Sequence, residues 1–314
     1  AAEQRSLYEH LRQQLTEARK NNERLIADLR TIAATSGKLA EEMDFTFLLD
    51  SRRKLVSVGF DVDTRHLHPA CYDLLGTESR TAVFVAIAKE DIPQESWFLL
   101  GRAHTLDGGR PVLLSWTGTL FEYLMPSLWM RSYPNTLLDR SRSAAVHSQQ
   151  IYATRKGVPW GISESAYFKL DEAGNYQYYA FGLPHLALRK RELKALVISP
   201  YSTFLALDSD PVGAVRNLRR MASMGWFGSH GFYEAADFSA PKRKFSRKGH
   251  QIVRCWMAHH QGMSLLALAN FLNDNVVQQW FHAERRVQAT ELLLHEKPVA
   301  HVRRRDVPRE LAVS

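Results

Sequence analysis

HQIVRCWMAHHQGMSLLALANFLND, residues 250–274, decides how the rest of the chain is read. Its apolar residues return every three or four positions, as one face of a helix requires, and the run is longer than an ordinary strand. Outward from it the same period recurs. Residues 5–43 place Leu7, Leu11, Leu15, Leu25, Ile26, Leu29 and Ile32 at helical spacing, with no proline and one glycine. Segments 72–89, 117–134, 135–157, 199–225 and 276–297 repeat the pattern. Pro93 suits the first turn of PQESWFLLGR. Thr117 or Thr119 caps a helix that Pro126 kinks, and Asn135 and Gly157 bound the next one. About ten helices result, joined by alternating short and long loops. FTFLL and KLVSVGF, around Asp50–Arg53, predict a small hairpin near residues 45–60. Two irregular segments, 158–184 and 228–250, are long for structureless loops, and such loops tend to carry function. Antiparallel helix pairs with this rhythm fit an α/α toroid or a helical bundle.

The 314 residues carry a formal net charge of +8. The basic residues gather in short runs, RKRELK at 189–194, PKRKFSRK at 241–248 and VRRRD at 302–306. No nucleic-acid-binding motif accompanies them, so nucleic acid is not an expected partner. They read as solvated loops, or as contacts to a neighbouring domain or an anionic membrane surface. Cys71 and Cys255 stand in no metal-ligand or redox spacing and read as free thiols. No apolar run approaches the ~20 residues that span a bilayer. The N-terminus, AAEQRSLYEHLRQQ, is polar and lacks Met; it reads as a cut within a longer chain.

Four glutamates have neighbours unlike those of surface glutamates. Glu78 lies in LLGTESRTAVFV, Glu122 in WTGTLFEYLMP, Glu164 in VPWGISESAYF and Glu234 in GSHGFYEAADF. Carboxylates are rarely buried unless paired or functional. Burial raises a carboxyl pKa, as a general acid at neutral pH requires, and two carboxylates across a sugar ring suffice for glycoside chemistry. The structural alternative is that some of them cap loops or pair with Arg80, Arg131 or Arg254. Trp116, Trp160, Tyr167 and Tyr178 supply apolar rings with polar tips, suited to the faces and edges of sugars. Other aromatics are read as core. His259, His260 and Gln261 interrupt the helix of 250–274. The two histidines point about 100° apart and do not readily share one metal. With no third ligand nearby, neither a metal nor another cofactor is expected. The three polar residues face either a sugar cavity or core hydrogen bonds.

These residues belong to longer motifs: MDFTFLLDSRRKLVSVGFDVD, YDLLGTESR, SWTGTLFEYLMP, MRSYPNTLLD, RKGVPWGISESAY, NYQYYAFGLPHLALRK, GFYEAADF and MAHHQGMSLLALANFL. From about residue 40 to 300 the chain resembles the glycoamylase-like domain of cyclic β-1,2-glucan synthases. The resemblance implies an all-α (α/α)₆ toroid over 44–314, with the small hairpin in its N-terminal third and residues 1–43 as a helical segment packing on the barrel. It implies anomer-retaining transglycosylation that closes linear β-1,2-glucan into a ring. It implies glycosyltransferase and phosphorylase-like domains in the same full-length membrane protein, and a place on the cytoplasmic face of the bacterial inner membrane. The catalytic pair maps onto Glu164 and Glu78. Glu164, in its aromatic loop, is expected to be the acid/base and Glu78 the nucleophile, with Glu122 in reserve and Glu234 on sugar hydroxyls. The competing readings are an inverting endo-β-1,2-glucanase on the same fold and a non-catalytic glucan-binding module.

Overall fold

A computed structural model describes residues 2–189, 193, 195–239 and 249–298; the three basic runs lie almost wholly outside these. The chain divides into two compact units, Ala1–Phe47 and Leu48–Ser314. The first is dominated by α1 (Ala2–Glu42), one uninterrupted helix whose apolar side chains, Leu11, Leu25 and Ile32 among them, are exposed. No described helix is long and apolar enough to cross a membrane.

The second unit carries nine helices among the described residues: α2 (Arg80–Ala88), α3 (Glu95–Leu99), α4 (Leu120–Leu124), α5 (Leu137–Lys156), α6 (Pro200–Leu205), α7 (Pro211–Ser223), α8 (Ala258–Leu272), α9 (Val276–Phe281) and α10 (Arg285–Thr290). Several helix ends follow from local chemistry. Asp210 caps α7 by accepting the Gly213 N–H at 2.9 Å, with Pro211 in the first turn. Gly157 closes α5 in the left-handed region at φ 71°. The cap of α5 is Thr136 rather than Asn135, because Asn135 is itself left-handed at φ 64° and leaves the Asp139 N–H to the Thr136 hydroxyl. After α4 the chain tightens into a 3₁₀ turn, Met125–Leu128, where Pro126 cannot donate an α-helical bond.

Strand is more widespread than one hairpin, which corrects the all-helical expectation. The expected hairpin is present as β1 (Leu49–Asp50) and β2 (Leu55–Val56), followed by β3 (Phe60–Asp61) with β4 (His66–Leu67). Further hairpins pair β5 (His104–Asp107) with β6 (Arg110–Leu113), and β7 (Ser165–Leu170) with β8 (Tyr176–Tyr179). β9 (Val197–Ile198) joins a three-stranded antiparallel sheet. After the short hairpin β10 (Phe227–Gly228) and β11 (Gly231–Phe232), β12 (Ala235–Asp237) forms the centre of that sheet, and β13 (Gln251–Val253) completes it. The helix read over 250–274 therefore begins only at Ala258. β7 escaped detection because its first three residues are buried and its last three exposed, so no alternation marks it.

One apolar core runs through the second unit from Val112 to Ala267 and includes Leu120, Ile162, Phe181, Ile198 and Trp226. Its tightest seam joins the residues before α4 to those after β8. A Cβ on Gly182 would stand 2.0 Å from the Thr117 carbonyl oxygen, so only glycine allows the two backbones to meet.

Candidate active site

Glu164 lies between that core and β7, and its backbone is fixed before its side chain is. Gly161, at φ +127°, turns the chain, and a Cβ there would meet the Ser202 hydroxyl at 2.9 Å. The buried Gln149 amide then brackets Ile162, donating to its carbonyl at 2.9 Å and accepting its N–H at 3.0 Å. Next, Phe121 N–H donates to the Ser163 hydroxyl at 3.0 Å, and Ser163 meets the Tyr201 hydroxyl at 2.9 Å. Tyr201 donates to the Glu164 carbonyl at 3.0 Å. The side chain leaves this frame half-buried, and its Oε1 accepts the Tyr178 hydroxyl at 2.9 Å. Tyr178 is placed by β8, opposite Ala166 of β7.

Glu78 is not inside a helix. It occupies the turn before α2, where its carbonyl accepts the Thr81 N–H at 3.0 Å. The turn is clamped by Arg80, which is buried and donates to the carbonyls of Thr77 (2.7 Å), Glu122 (2.8 Å) and Tyr123 (2.8 Å). Burial pushes the Glu78 carboxyl up to about 7; the nearby charges of Glu122 and Glu164 add to this, while its own backbone amide and Arg80 pull it down incompletely. Burial also raises Glu164, but there the Tyr178 hydrogen bond and the charge of His260 oppose it. The two carboxyls share one field and differ in environment.

Glu122 stands close enough to raise both, yet it is scaffold. It is 5% exposed. Its Oε2 accepts the Ser115 and Thr117 hydroxyls (2.8 and 2.9 Å) and the Thr119 N–H (3.0 Å), and its Oε1 accepts the Thr117 N–H (3.1 Å). With the Thr119 hydroxyl on the Glu122 N–H it completes a capping box at the start of α4. Several donors converge on Oε2 and one on Oε1, so the carboxylate braces the turn that starts α4. Trp160, 7% exposed, and Tyr167, whose hydroxyl donates to Gln177 at 2.7 Å, are core residues. An irregular segment in sequence is here a buried one, which corrects the expectation for both.

Trp116, by contrast, is 41% exposed beside the Thr117–Thr119 turn. His259 is exposed, with its ring 6.3 Å from that of Tyr178. Glu234 and His260 are almost fully buried, both side chains 1% exposed; they bind each other and border the same cavity as Gln261. Gln261 faces a largely apolar cavity of about 240 Å³, with Phe204, Phe227, Phe232 and Leu265. Tyr201 is the residue that sequence reasoning missed. It stacks on His260 with ring centroids 3.7 Å apart and planes 9° apart. Nothing in SPYSTFLALD signals that contact, since its partners lie about 40 and 60 positions away.

Comparison with known proteins places this geometry in a family. The glycoamylase family model, described as putative glucoamylase, matches residues 72–285. The cyclic beta-(1,2)-glucan synthase NdvB of Rhizobium meliloti (strain 1021) is 41% identical over 270 residues, covering 86% of this chain and 9% of that protein. The chain thus spans about a tenth of that relative's length. Among solved structures, the endo-beta-1,2-glucanase of Chitinophaga pinensis, in complex with sophorotriose and glucose, superposes with a TM-score of 0.60 at 16% identity, covering 85% of this chain and 65% of that one. A putative glucoamylase of Bacteroides fragilis NCTC 9343 gives 0.61 at 17% identity, with 85% and 64% covered. At these identities the structures establish a shared fold, and the family match over most of the second unit establishes the rest: this chain belongs to the glycoamylase family.

Proposed function

We propose that this chain is the ring-closing domain of a longer synthase, cutting linear β-1,2-glucan with retention and rejoining it to a hydroxyl of the same glucan. The observation that carries the reading is the pair Glu78 and Glu164, two half-buried carboxyls within one field, both raised by burial, with Tyr178 and His260 opposing the rise at Glu164. The identity to a cyclic β-1,2-glucan synthase supports the substrate. The (α/α)₆ toroid, the glycosyltransferase and phosphorylase-like domains in the same chain and the cytoplasmic face of the inner membrane belong to the same proposal.

The environments favour roles opposite to those expected from sequence. A carboxyl at about 7 is roughly half protonated at neutral pH and can both give and take a proton, which suits Glu78 to the acid/base role. Glu164, steadied by Tyr178 and His260, is the nucleophile. Its carboxylate attacks the anomeric carbon, the glycosidic C–O bond breaks, and Glu78 gives its proton to the departing oxygen. A hydroxyl at the far end of the bound glucan then attacks the same carbon. Glu78 takes its proton and Glu164 leaves, so atoms and charge balance and the ring closes. Tethering makes this attack unimolecular, which lets it compete with water.

The test uses linear β-1,2-glucan with azide as an external nucleophile. Glu164→Ala gives an α-glucosyl azide, and Glu78→Ala a β-glucosyl azide. The reverse pairing restores the sequence-based roles. Net inversion with linear products replaces the proposal by the inverting hydrolase. Near wild-type turnover in both variants ends the assignment of this pair.

A further inference from the structure

A chain of hydrogen-bonded side chains, buried at Glu234 and His260 and 41% exposed at Tyr178, stands behind Glu164 and takes no part in the bond-breaking steps above. Glu234 precedes β12, and both its oxygens face His260 Nδ1, at 2.8 and 3.0 Å. Glu234 Oε1 also accepts the Ala166 N–H at 3.2 Å, its backbone N–H donates to the Cys255 carbonyl at 3.0 Å, and the Ser199 hydroxyl holds its carbonyl at 2.7 Å. On its other side, His260 Nε2 lies 3.2 Å from the Tyr178 hydroxyl, which reaches Glu164 at 2.9 Å. The order is Glu234, His260, Tyr178, Glu164.

Counting donors and acceptors shows how this chain can serve its own members. An ionised carboxylate only accepts, so Nδ1 carries a proton. A phenol has one proton to give. If Nε2 were bare, Tyr178 would face two acceptors and leave either His260 or Glu164 unserved. If Nε2 is protonated, it donates to the phenol oxygen, and the phenol proton goes to Glu164. The two buried members, Glu234 and His260, are then satisfied from within the chain, as low-dielectric surroundings favour. Tyr201 holds the imidazole plane by stacking, and the same residue holds the Glu164 carbonyl.

We infer that Glu234 and His260 are a positioning dyad: the doubly protonated imidazole, anchored by Glu234, turns the Tyr178 hydroxyl onto Glu164 and keeps that carboxylate ionised for attack. The inference rests on the reading of Glu164 as nucleophile. The groups facing His260 are Glu234 before β12, Tyr178 of β8, Tyr201 of α6 and its neighbour His259 on α8, whose ring centroid is 4.0 Å away; Glu164 lies beyond Tyr178.

Two substrate-free measurements test the dyad. In nitrogen-15 histidine spectra, assigned by the signals lost in His260→Gln, both ring nitrogens of His260 are protonated at pH 7, and Nε2 loses its proton in Glu234→Gln. In carbon-13 glutamate spectra Glu164 titrates about one pH unit higher in His260→Gln, the order expected when a facing opposite charge is removed. A bare Nε2 in the wild-type chain, or an unmoved Glu164, overturns the inference. With linear β-1,2-glucan, the acid limb of kcat/KM moves up by the same amount in His260→Gln and in Glu234→Gln, and by nothing further when His260→Gln is added to Tyr178→Phe. A full additional shift in that double variant means separate structural effects and also overturns it. If the wild-type chain turns over no β-1,2-glucan, the functional reading falls, while the two spectra still decide on the dyad. Should His260→Gln fail to fold, the near-isosteric Glu234→Gln carries both readouts.

Discussion

Replacing Glu78 by Gln will stabilise the folded chain at pH 8 while removing turnover, and the two effects have one cause. The Glu78 carboxyl moves from 4.5 to about 7 on folding, chiefly because it leaves water. At ~1.4 kcal/mol per pKa unit this corresponds to at most about 3.5 kcal/mol. The sign follows from linkage. Below pH 4.5 the group is protonated in both states and contributes nothing. Between 4.5 and 7 the unfolded chain releases its proton first, so stability falls as pH rises. Above 7 the folded chain carries an ionised carboxylate in a poor environment, and the full difference is expressed. Gln has no such slope. Urea unfolding of both proteins from pH 5 to 8 therefore shows the wild type losing about 2–3 kcal/mol relative to Glu78→Gln, or roughly 5–10 °C in Tm. Parallel stability curves would refute the raised pKa, and with it the assignment of Glu78 as the acid.

Glu122→Ala will destabilise by about 3 kcal/mol, since it breaks a helix cap and leaves buried amides and hydroxyls unpaired; urea unfolding that matches wild type would return Glu122 to the catalytic candidates. Trp160→Ala will cost about 3–5 kcal/mol as a core truncation. Trp116→Ala will leave the melting temperature alone and raise KM for linear glucan several-fold; an unchanged KM would take Trp116 out of the binding surface.

Much of the helical framework was legible because helix period is a local property. The spacing of Leu7, Leu11 and Leu15, and the apolar run after Ala258, announce α1 and α8 without reference to anything else. The short strands were not legible, because β7 and β13 exist through partners supplied by β8 and β12. Their own residues carry too little alternation to mark them.

The four glutamates were visible in sequence as carboxylates in apolar or aromatic company, and three of them do carry perturbed or paired carboxyls around one field. What each does was not visible. Glu122 is neutralised as a candidate by hydroxyls and amides within seven residues of it, a local pattern that a capping-box reading of TGTLFE could have found. Glu234 is paired with His260, 26 positions away, and Glu164 is steadied by Tyr178, 14 positions away. Sequence by itself determined which side chains are chemically able to act, since that depends on residue type and near neighbours. Only the tertiary structure decided which of them remain half-open to a substrate and which are buried on partners, because desolvation and proton sharing are set by groups that the chain brings together from far apart.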